Sequence, residues 1–386
     1  MNSIVITSKA SISSLGHQSE KIWQRYLEDK CYLNICSFNN EDTPVGNLHP
    51  ETLELVDKIR KENSNYRKLD KTVIMAILTS RICIKNSGWK NTTNIGVNIG
   101  SSRGATQLFE NYYSYFLNSP NKKISPLTSP TTTLGNISSW VANDLKSDDI
   151  NLSHSITCST ALHSILNAIA WINSGMSSQF LAGASESPLT DFTVSQMKSL
   201  GIYTKKTSNW YSSPLQKNAI KNSMCLGEGS SVFALEKDKG QQRLAKIIGI
   251  GYATENITHS TSISENGESL QKSILMASNN IDLSSIDAIV MHAPGTIKGD
   301  QSELNAINEV FKNYKPQLIS TKFQTGHTLG ASGGISLDLA IEMIQRNQQI
   351  YFPYLTDIPQ KETEVKTVLI NAIGFGGNAV SLIITK

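Results

Sequence analysis

The sequence predicts an α/β fold built from two similar halves. Short apolar runs alternate with longer runs whose apolar residues recur at helical spacing, which is typical of strands alternating with helices. Residues 155–175 and 324–344 also resemble each other, because each has a reactive side chain, then small residues, then a helix. Such alternation favours a largely parallel sheet. We therefore expect a duplicated βαβ plan, with an N-terminal half at residues 1–240 and a C-terminal half at residues 241–386.

The elements of the first half follow from local patterns. Residues 71–85, KTVIMAILTSRICIK, predict an amphipathic or buried helix. We predict strands at residues 3–7, 94–99, 179–184 and 229–236, and further helices at residues 20–29, 51–62 and 103–117. Outside these elements, residues 31–70 are polar and irregular, and residues 119–133 form a loop rich in Ser, Pro and Thr. Residues 186–226 are predicted to form a covering loop or layer.

The second half repeats the alternation. We predict strands at residues 245–253, 286–292 and 317–321, and helices at residues 268–278, 301–311 and 330–345. Two closing strands flank a glycine-rich turn at residues 374–377. The halves therefore contain comparable sets of elements.

Composition narrows the class of protein. The chain has 386 residues, with 39% apolar and 17% charged, which is typical of a soluble globular protein with an extensive core. No apolar run approaches the roughly 20 residues that span a bilayer, and the start does not resemble a secretory signal. The five cysteines form no CxxC pair, so we expect a reducing cytoplasm and neither a disulfide framework nor a zinc site. The net charge of +3 gives no reason to expect nucleic acid as a partner.

Residues 151–175 contain the first candidate for chemistry. Leu152, His154 and Ile156 alternate with serines, as in a strand, and after Cys158 apolar residues recur at helical spacing. A cysteine at such a junction lies near unpaired N–H groups and the positive end of the helix dipole. We therefore expect its thiolate to be favoured, although a buried structural cysteine is the commoner alternative.

Three further segments place polar or glycine-rich sequence at the ends of predicted strands. Their candidate residues are His292, Asp300, Glu303, Lys322, His327 and Phe375. Taken singly, each has a plain structural explanation: a hydrogen-bonded histidine, a carboxylate that complements a helix dipole, a solvated lysine or a tight glycine turn. Neither GEGSS nor GFGG fits the dinucleotide-binding fingerprint. The case for function depends on their combination.

Together with Cys158, these segments resemble the β-ketoacyl-acyl carrier protein synthases, specifically the elongating ketosynthases with a Cys-His-His active site. The resemblance covers nearly the whole chain and includes IVIT, SSLG, TCSTA, AGASES, MKSLG, GEGSSVFALE, STK, TGHTLGASGG and GFGGN. The spacings agree as well, with eight residues from His292 to Asp300 and five from Lys322 to His327. The resemblance implies a thiolase-like fold with α-β-α-β-α layers.

The resemblance also implies a decarboxylative Claisen condensation. Cys158 would take an acyl group from a phosphopantetheine thioester and hold it as an acyl-enzyme. Malonyl-acyl carrier protein would then lose carbon dioxide, and its enolate would attack the acyl group. His292 and His327 would hydrogen-bond the developing enolate oxygen. No metal or redox cofactor is implied, because decarboxylation supplies the driving force.

The remaining candidates would support this reaction. The backbone N–H groups of Cys158 and Phe375 would form the oxyanion hole, and Phe375 would also gate the pocket. Lys322, Asp300 and Glu303 would form a charged group that holds the histidines in place.

Two departures from the family pattern favour a specialised enzyme. The family has His-Gly-Thr-x-Thr after the strand, and both threonines contact the pantetheine arm. Here Thr296 is kept, but Pro294, which donates no hydrogen bond, replaces the first threonine. Residues 215–229, LQKNAIKNSMCLGEG, lack the usual Asp and Arg-Asp-Gly. We therefore favour a pathway to polyenes or polyketides, such as aryl polyene or flexirubin-like pigments, over housekeeping type II fatty-acid elongation.

Other classes with this fold fit less well. A non-catalytic chain-length factor is expected to lack the nucleophilic cysteine, a thiolase to have a second cysteine in the C-terminal glycine turn, and an initiating synthase to use Cys-His-Asn. The resemblance implies an acyl carrier protein as partner, and either a homodimer or a heterodimer with a homologous ketosynthase or chain-length factor. Residues 107–116 are a candidate for the subunit contact, and Lys205 and Lys206 for carrier-protein docking.

Overall fold

The computed structural model describes residues 3–121, 123–134, 136–205, 209–256, 258–259, 261–355 and 364–386. Ten of its strands join in one mixed sheet, and two more pair as a separate hairpin. The strands are β1 (Ile4–Ile12), β2 (Asn34–Phe38), β3 (Glu41–Val45), β4 (Gly96–Gly100), β5 (Asn151–Leu152), β6 (Gln179–Glu186), β7 (Gly229–Lys237), β8 (Ala245–Thr254), β9 (Ala288–Val290), β10 (Gln317–Ile319), β11 (Thr367–Gly374) and β12 (Asn378–Thr385).

The helices lie between and around these strands. They are α1 (Ser19–Leu27), α2 (Pro50–Glu62), α3 (Lys71–Ser87), α4 (Thr106–Asn118), α5 (Thr128–Thr132), α6 (Asn136–Leu145), α7 (Thr160–Ser174), α8 (Asp191–Ser199), α9 (Glu268–Ala277), α10 (Ile297–Phe311), α11 (Lys322–Thr325) and α12 (Ser332–Arg346). Among the described helices, none combines the length and apolarity needed to cross a membrane.

The same strand order occurs on both sides of the sheet's centre. The large sheet reads β10-β9-β11-β12-β8-β1-β7-β6-β4-β5, with the two halves meeting at β8 and β1. Counting only the five strands that each half gives to this sheet, each half presents, from the junction outward, its first, fifth, fourth, second and third strand. This repeated order confirms the duplicated plan, whereas the division of the chain at residue 240 stays a prediction.

The expectation of a largely parallel sheet is wrong. Parallel pairing is confined to β4, β5 and β6 in one half and to β9, β10 and β11 in the other. The centre is antiparallel, because β11 and β12 form a hairpin and β1 joins the halves by pairing with both β7 and β8. A hairpin turn requires antiparallel strands, so the glycine-rich turn determines this part of the sheet.

Five layers, α-β-α-β-α, follow from which helices pack on which strands. Helices α7 and α12 pack against each other, and both contact strands of both halves. Alternate residues separate the faces: Phe180 and Phe233 belong to the cluster around α7 and α12, whereas Leu181 and Val232 pack with α3. Helices α9 and α10 cover the outer side of the second half. The thiolase-like layering expected from the sequence is confirmed.

Several helices and strands were not predicted from the sequence patterns. The expected irregular stretch at residues 31–70 contains the β2–β3 hairpin, residues 119–133 contain α5, and residues 186–226 contain α8. Helix α6 was not predicted, and the strand expected before Cys158 is reduced to β5. Serine and threonine side chains bond backbone groups in these segments: Ser138 Oγ, for example, donates to the carbonyl of Ile99 at 3.1 Å. Tertiary contacts of this kind leave no periodic signal in the sequence.

Candidate active site

A cavity of about 630 Å³ is lined by residues from both halves of the chain. Five of the predicted site residues line it: Cys158, His292, Thr296, His327 and Phe375. The three other predicted residues, Lys322, Asp300 and Glu303, are buried and do not line the cavity. The structure therefore brings the predicted thiol and both imidazoles to one space.

The turn between β11 and β12 packs directly against the backbone of Cys158. Thr157 has a φ of +46°, in the left-handed region, and its Oγ1 donates a hydrogen bond to the carbonyl of Phe375 at 3.1 Å. A Cβ at Gly374 would lie 1.9 Å from Thr157 Oγ1 and 3.0 Å from the Cys158 nitrogen, so this close approach requires glycine. Cys158 is thereby held two residues before α7, beside Phe375.

The expectation that the helix terminus favours the thiolate is wrong. Cys158 is 7% exposed, and burial raises the pKa of its thiol to about 12. The charge of Lys322 opposes this shift, whereas the carboxylate of Glu186 adds to it. Met197 and Leu329 pack in the same apolar cluster as the sulfur. Desolvation is the largest cause of this shift, so the neutral thiol is favoured over the thiolate near pH 7.

The two histidines come from different elements and their rings meet edge to face. His292 lies two residues after β9, and His327 lies two residues after α11. Their ring centroids are 5.2 Å apart, with an interplanar angle of 82°. The backbone of His327 is fixed by hydrogen bonds to the Cys225 carbonyl at 2.7 Å and from the Gly227 nitrogen at 3.0 Å. Both rings are thus presented by anchored backbone segments.

Both imidazoles are neutral near pH 7. Burial lowers the pKa of each ring well below its usual range, and the positive charge of Lys322 lowers it further. A neutral imidazole has one N–H donor and one acceptor nitrogen. His327 Nδ1 has no hydrogen-bond partner within the described part of the chain. The pair can therefore donate hydrogen bonds into the cavity without carrying charge.

A buried carboxylate holds the segment that carries His292. Glu303 Oε1 accepts hydrogen bonds from the His292 nitrogen at 3.0 Å and from Asn371 Nδ2 at 3.1 Å. Its Oε2 accepts from the Ala293 nitrogen at 2.8 Å. Lys322 Nζ donates to the carbonyl of His292. Two buried groups, Glu303 and Lys322, therefore fix the backbone around this imidazole, and Asn371 holds Glu303.

Asp300 plays a comparable part for the next loop. Its Oδ1 accepts from the Gly295 nitrogen at 3.0 Å, and its Oδ2 accepts from the Leu215 nitrogen at 2.9 Å. Burial raises the pKa of Asp300 to about 7, although these hydrogen bonds oppose the shift. Burial also lowers the pKa of Lys322 to about 8, against the attraction of Glu303. Lys322, Asp300 and Glu303 thus form a desolvated network, in which the charge of Lys322 affects the pKa of both carboxyl groups and their charges affect the pKa of Lys322.

The two departures from the family pattern contact each other. The carbonyl of Gly295, next to Pro294, accepts a hydrogen bond from the Ser223 nitrogen at 2.7 Å. Asn222 Oδ1 accepts from the first backbone N–H of α10 at 3.0 Å. Pro294, Asn222 and Thr296 all line the cavity. The altered segment at residues 215–229 and the altered loop after His292 therefore form one wall.

Sequence reasoning missed several residues. Asn371 was given no role from the sequence, although a polar residue inside the apolar strand β11 is itself a signal for a buried partner. Residues 261–263 line the cavity without any motif to mark them. Lys205 is exposed and does not line the cavity, and Lys206 lies outside the described residues. Among the described residues, no group of three His, Cys, Asp or Glu side chains could hold a metal ion.

Comparison with known proteins agrees with this geometry. The family described as "Beta-ketoacyl synthase, N-terminal domain" matches residues 1–240, and "Beta-ketoacyl synthase, C-terminal domain" matches residues 244–351. A "3-oxoacyl-[acyl-carrier-protein] synthase 2" of Rhizobium meliloti (strain 1021) is 27% identical, over 100% of this chain and 99% of that protein.

Two solved structures share the fold. The ishigamide ketosynthase/chain length factor superposes with a TM-score of 0.86 at 19% identity, covering 100% of this chain and 99% of that chain. A type II PKS acyl-carrier protein in complex with its ketosynthase bound to the hexaketide gives a TM-score of 0.84 at 18% identity, with the same coverage of 100% and 99%. With its two family matches, the chain belongs to the beta-ketoacyl synthase family, whose members carry out ketosynthase condensation in fatty-acid and polyketide synthesis.

Proposed function

We propose that the protein elongates an acyl chain held on Cys158 by decarboxylative Claisen condensation with malonyl-acyl carrier protein, giving a β-ketoacyl-acyl carrier protein. The observation that supports this most is the convergence of one thiol and two neutral imidazoles in one cavity. None of these groups needs a metal or redox cofactor for this reaction, because loss of carbon dioxide makes the condensation favourable.

The first step is acyl transfer to the protein. The Cys158 sulfur forms a bond to the thioester carbonyl carbon, and the phosphopantetheine thiolate leaves and takes up the thiol proton. The backbone N–H groups of Cys158 and Phe375 are the proposed donors to the oxyanion. Their proposed role is supported by the contact that packs the Phe375 turn on the residue before the nucleophile.

The second step forms the carbon–carbon bond. The malonyl group loses carbon dioxide, and the electron pair that remains becomes an enolate. Its carbon attacks the acyl carbonyl carbon, and the Cys158 thiolate leaves. Neutral His292 and His327 donate hydrogen bonds to the enolate oxygen, where negative charge develops. Lys322, Asp300 and Glu303 position the histidine segments, and Thr296 contacts the pantetheine arm.

We further propose that the protein serves a specialised pathway to polyenes or polyketides, such as aryl polyene or flexirubin-like pigments. The support is the altered wall around Pro294 and Asn222, since a changed contact to the arm suits a particular carrier protein or acyl group. Housekeeping type II fatty-acid elongation is the alternative, and the synthase 2 relative favours it. A non-catalytic chain-length-factor role is disfavoured by the presence of Cys158, His292 and His327.

The proposed partners are an acyl carrier protein and a second ketosynthase-like subunit. Helix α4, which contains the candidate contact segment at residues 107–116, supports the second subunit. Its Phe109, Tyr113 and Leu117 are four residues apart and each is more than half exposed. A solvent-facing apolar stripe on a helix indicates a protein contact. It suits a homodimer or a heterodimer with a homologous chain.

The test is a panel of acyl-acyl carrier proteins that differ in length and unsaturation, supplied with malonyl-acyl carrier protein. Intact-protein mass spectrometry follows the acyl-enzyme and the β-ketoacyl product. Loading followed by condensation is expected for at least one acyl group. Preference for polyunsaturated or aryl chains would support the specialised pathway, and preference for saturated chains would support the housekeeping alternative. Absence of any acyl-enzyme across the panel would refute the proposed reaction.

A further inference from the structure

A buried carboxyl group next to the nucleophile has no part in the proposed reaction. Glu186, at the end of β6, is 0% exposed. Its Oε1 accepts hydrogen bonds from Ser101 Oγ at 2.8 Å, from the Arg103 nitrogen at 3.3 Å and from the Ser102 nitrogen. Its Oε2 is buried and has no hydrogen-bond partner in the described ranges. One acceptor is therefore left unused where an unpaired polar atom costs free energy.

Arg103 leaves a matching donor unused. Its Nη2 donates to Gln196 Oε1, and its charge acts on Glu186, whose pKa it lowers against the larger effect of burial. Its Nε is buried and, like Glu186 Oε2, has no partner among the described side chains and backbone groups. The two residues thus present one free donor and one free acceptor.

Glu186 lies directly behind the cavity wall. Leu329 lines the cavity in the same apolar cluster as Cys158. The next residue, Gly330, packs against Glu186, because a Cβ there would lie 2.9 Å from Glu186 Oε1. The carboxylate is also close enough to Cys158 to raise the pKa of its thiol.

Arg103, in the loop between β4 and α4, contacts the same wall through a residue of α8. Its partner Gln196 precedes Met197, which lines the cavity and packs with Cys158. Met is unbranched and adaptable, so a change in its rotamer alters the wall at low cost. Neither Arg103 nor Glu186 lines the cavity itself, so an acyl chain on Cys158 would reach the pair only by displacing Met197 or Leu329.

We propose that Arg103 and Glu186 select the acyl group that Cys158 carries, by binding a hydroxyl group at or near its far end. A hydroxyl both accepts and donates, so one group satisfies the Nε–H of Arg103 and the Oε2 of Glu186 together. A carboxylate end would meet repulsion from Glu186, and a methyl end would leave both buried atoms unpaired. This inference rests on the proposed function, because it requires an acyl group on Cys158.

The experiment compares two acyl carrier proteins loaded with acyl groups of equal length, one ending in a hydroxyl and the other in a methyl. Intact-protein mass spectrometry measures the rate at which each acylates the full-length protein. We expect the wild type to load the hydroxyl-ended group about tenfold to a hundredfold faster. Arg103→Met should bring this ratio close to one by slowing only the hydroxyl-ended group. Arg67→Met, at an exposed arginine, is the matched control and should keep the wild-type ratio.

Removing Arg103 alone leaves the buried carboxylate of Glu186 without its cation, which can prevent folding. In that case the same loading ratio is measured in the double variant Arg103→Met/Glu186→Gln, which has no charge at either position. A wild-type ratio of about one or below overturns the inference, as does an unchanged ratio in either variant. If the wild type loads neither acyl group, the proposed function itself fails. Loading of the methyl-ended group without discrimination refutes only the role of Arg103 and Glu186.

Discussion

The imidazoles of His292 and His327 stand edge to face, with their centroids 5.2 Å apart, and burial keeps both neutral. Two charged imidazoles at this separation would repel each other in a low dielectric. Lys322 adds to that repulsion, because its charge lowers the pKa of both rings. The site therefore holds two uncharged donors side by side.

This neutrality makes stability depend on pH. In the unfolded chain a histidine takes up a proton near its ordinary pKa of about 6.5, whereas the folded pKa of these rings lies well below that value. The unfolded state thus binds more protons below about pH 6.5, and stability falls as the pH falls. Replacing His327 with Asn should make the free energy of unfolding fall less between about pH 7 and about pH 5. Urea denaturation measures this, and parallel curves for the two proteins would contradict it.

Loading and condensation should separate by mutation. Cys158→Ala removes the sulfur and should abolish the acyl-enzyme, whereas His292→Ala should still be acylated but lose condensation by about a hundredfold or more. Intact-protein mass follows loading, and product mass follows condensation. Cys36→Ala, at a half-buried cysteine, is the control and should retain both steps. An acyl adduct on Cys158→Ala would rule out the assigned nucleophile.

The alkylation rate of the Cys158 thiol should keep rising with pH and should not level off near neutral pH. With the pKa of Cys158 raised to about 12, the thiolate fraction grows about tenfold per pH unit over the accessible range. The alkylation rate of Cys158 by iodoacetamide should rise in the same proportion between about pH 7 and about pH 9. Peptide mass mapping measures the rate at this residue. A plateau below about pH 8 would show that the helix dipole and Lys322 outweigh burial after all.

Replacing Glu303 should destabilise the fold far more than replacing an exposed glutamate on the same helix. Its removal in Glu303→Ala leaves three buried N–H donors unpaired, at about 1–3 kcal/mol each. We expect the free energy of unfolding to fall by about 3 kcal/mol or more. Glu309→Ala, at an exposed position on the same helix, should change it by less than about 0.5 kcal/mol. Equal effects of the two substitutions in urea denaturation would refute this reading.

The site was more predictable from the sequence than its electrostatics were. Cys158, His292 and His327 each follow a segment with a clear local pattern, and the family spacing linked them. The pKa of Cys158 could not be predicted in this way, because the thiol is buried in an apolar cluster whose other members, such as Met197 and Leu329, are distant in the sequence. A local argument from the helix terminus therefore gave the wrong direction.

The fold shows the same limit. Helices α3 and α12 were predicted close to their observed bounds, since a long apolar pattern is a strong local signal. The antiparallel centre of the sheet depends on which strands pair, and pairing is a long-range property. The hydrogen bond between Asn371 on β11 and Glu303 on α10 is also a long-range contact, and no local sequence pattern predicts it.

The apolar stripe on α4 leads to a prediction about assembly. Phe109 is 61% exposed and Tyr113 is 56% exposed, and both lie on one face of the helix. If a second subunit covers this face, the protein should sediment as a dimer, and Phe109→Glu/Tyr113→Glu should shift it to a monomer by placing charges in the contact. Tyr252→Glu replaces an aromatic residue that is 51% exposed on β8, and as the matched control it should leave the dimer intact. A wild-type monomer, or a dimer that persists in the α4 variant, would show that this stripe is not the subunit contact.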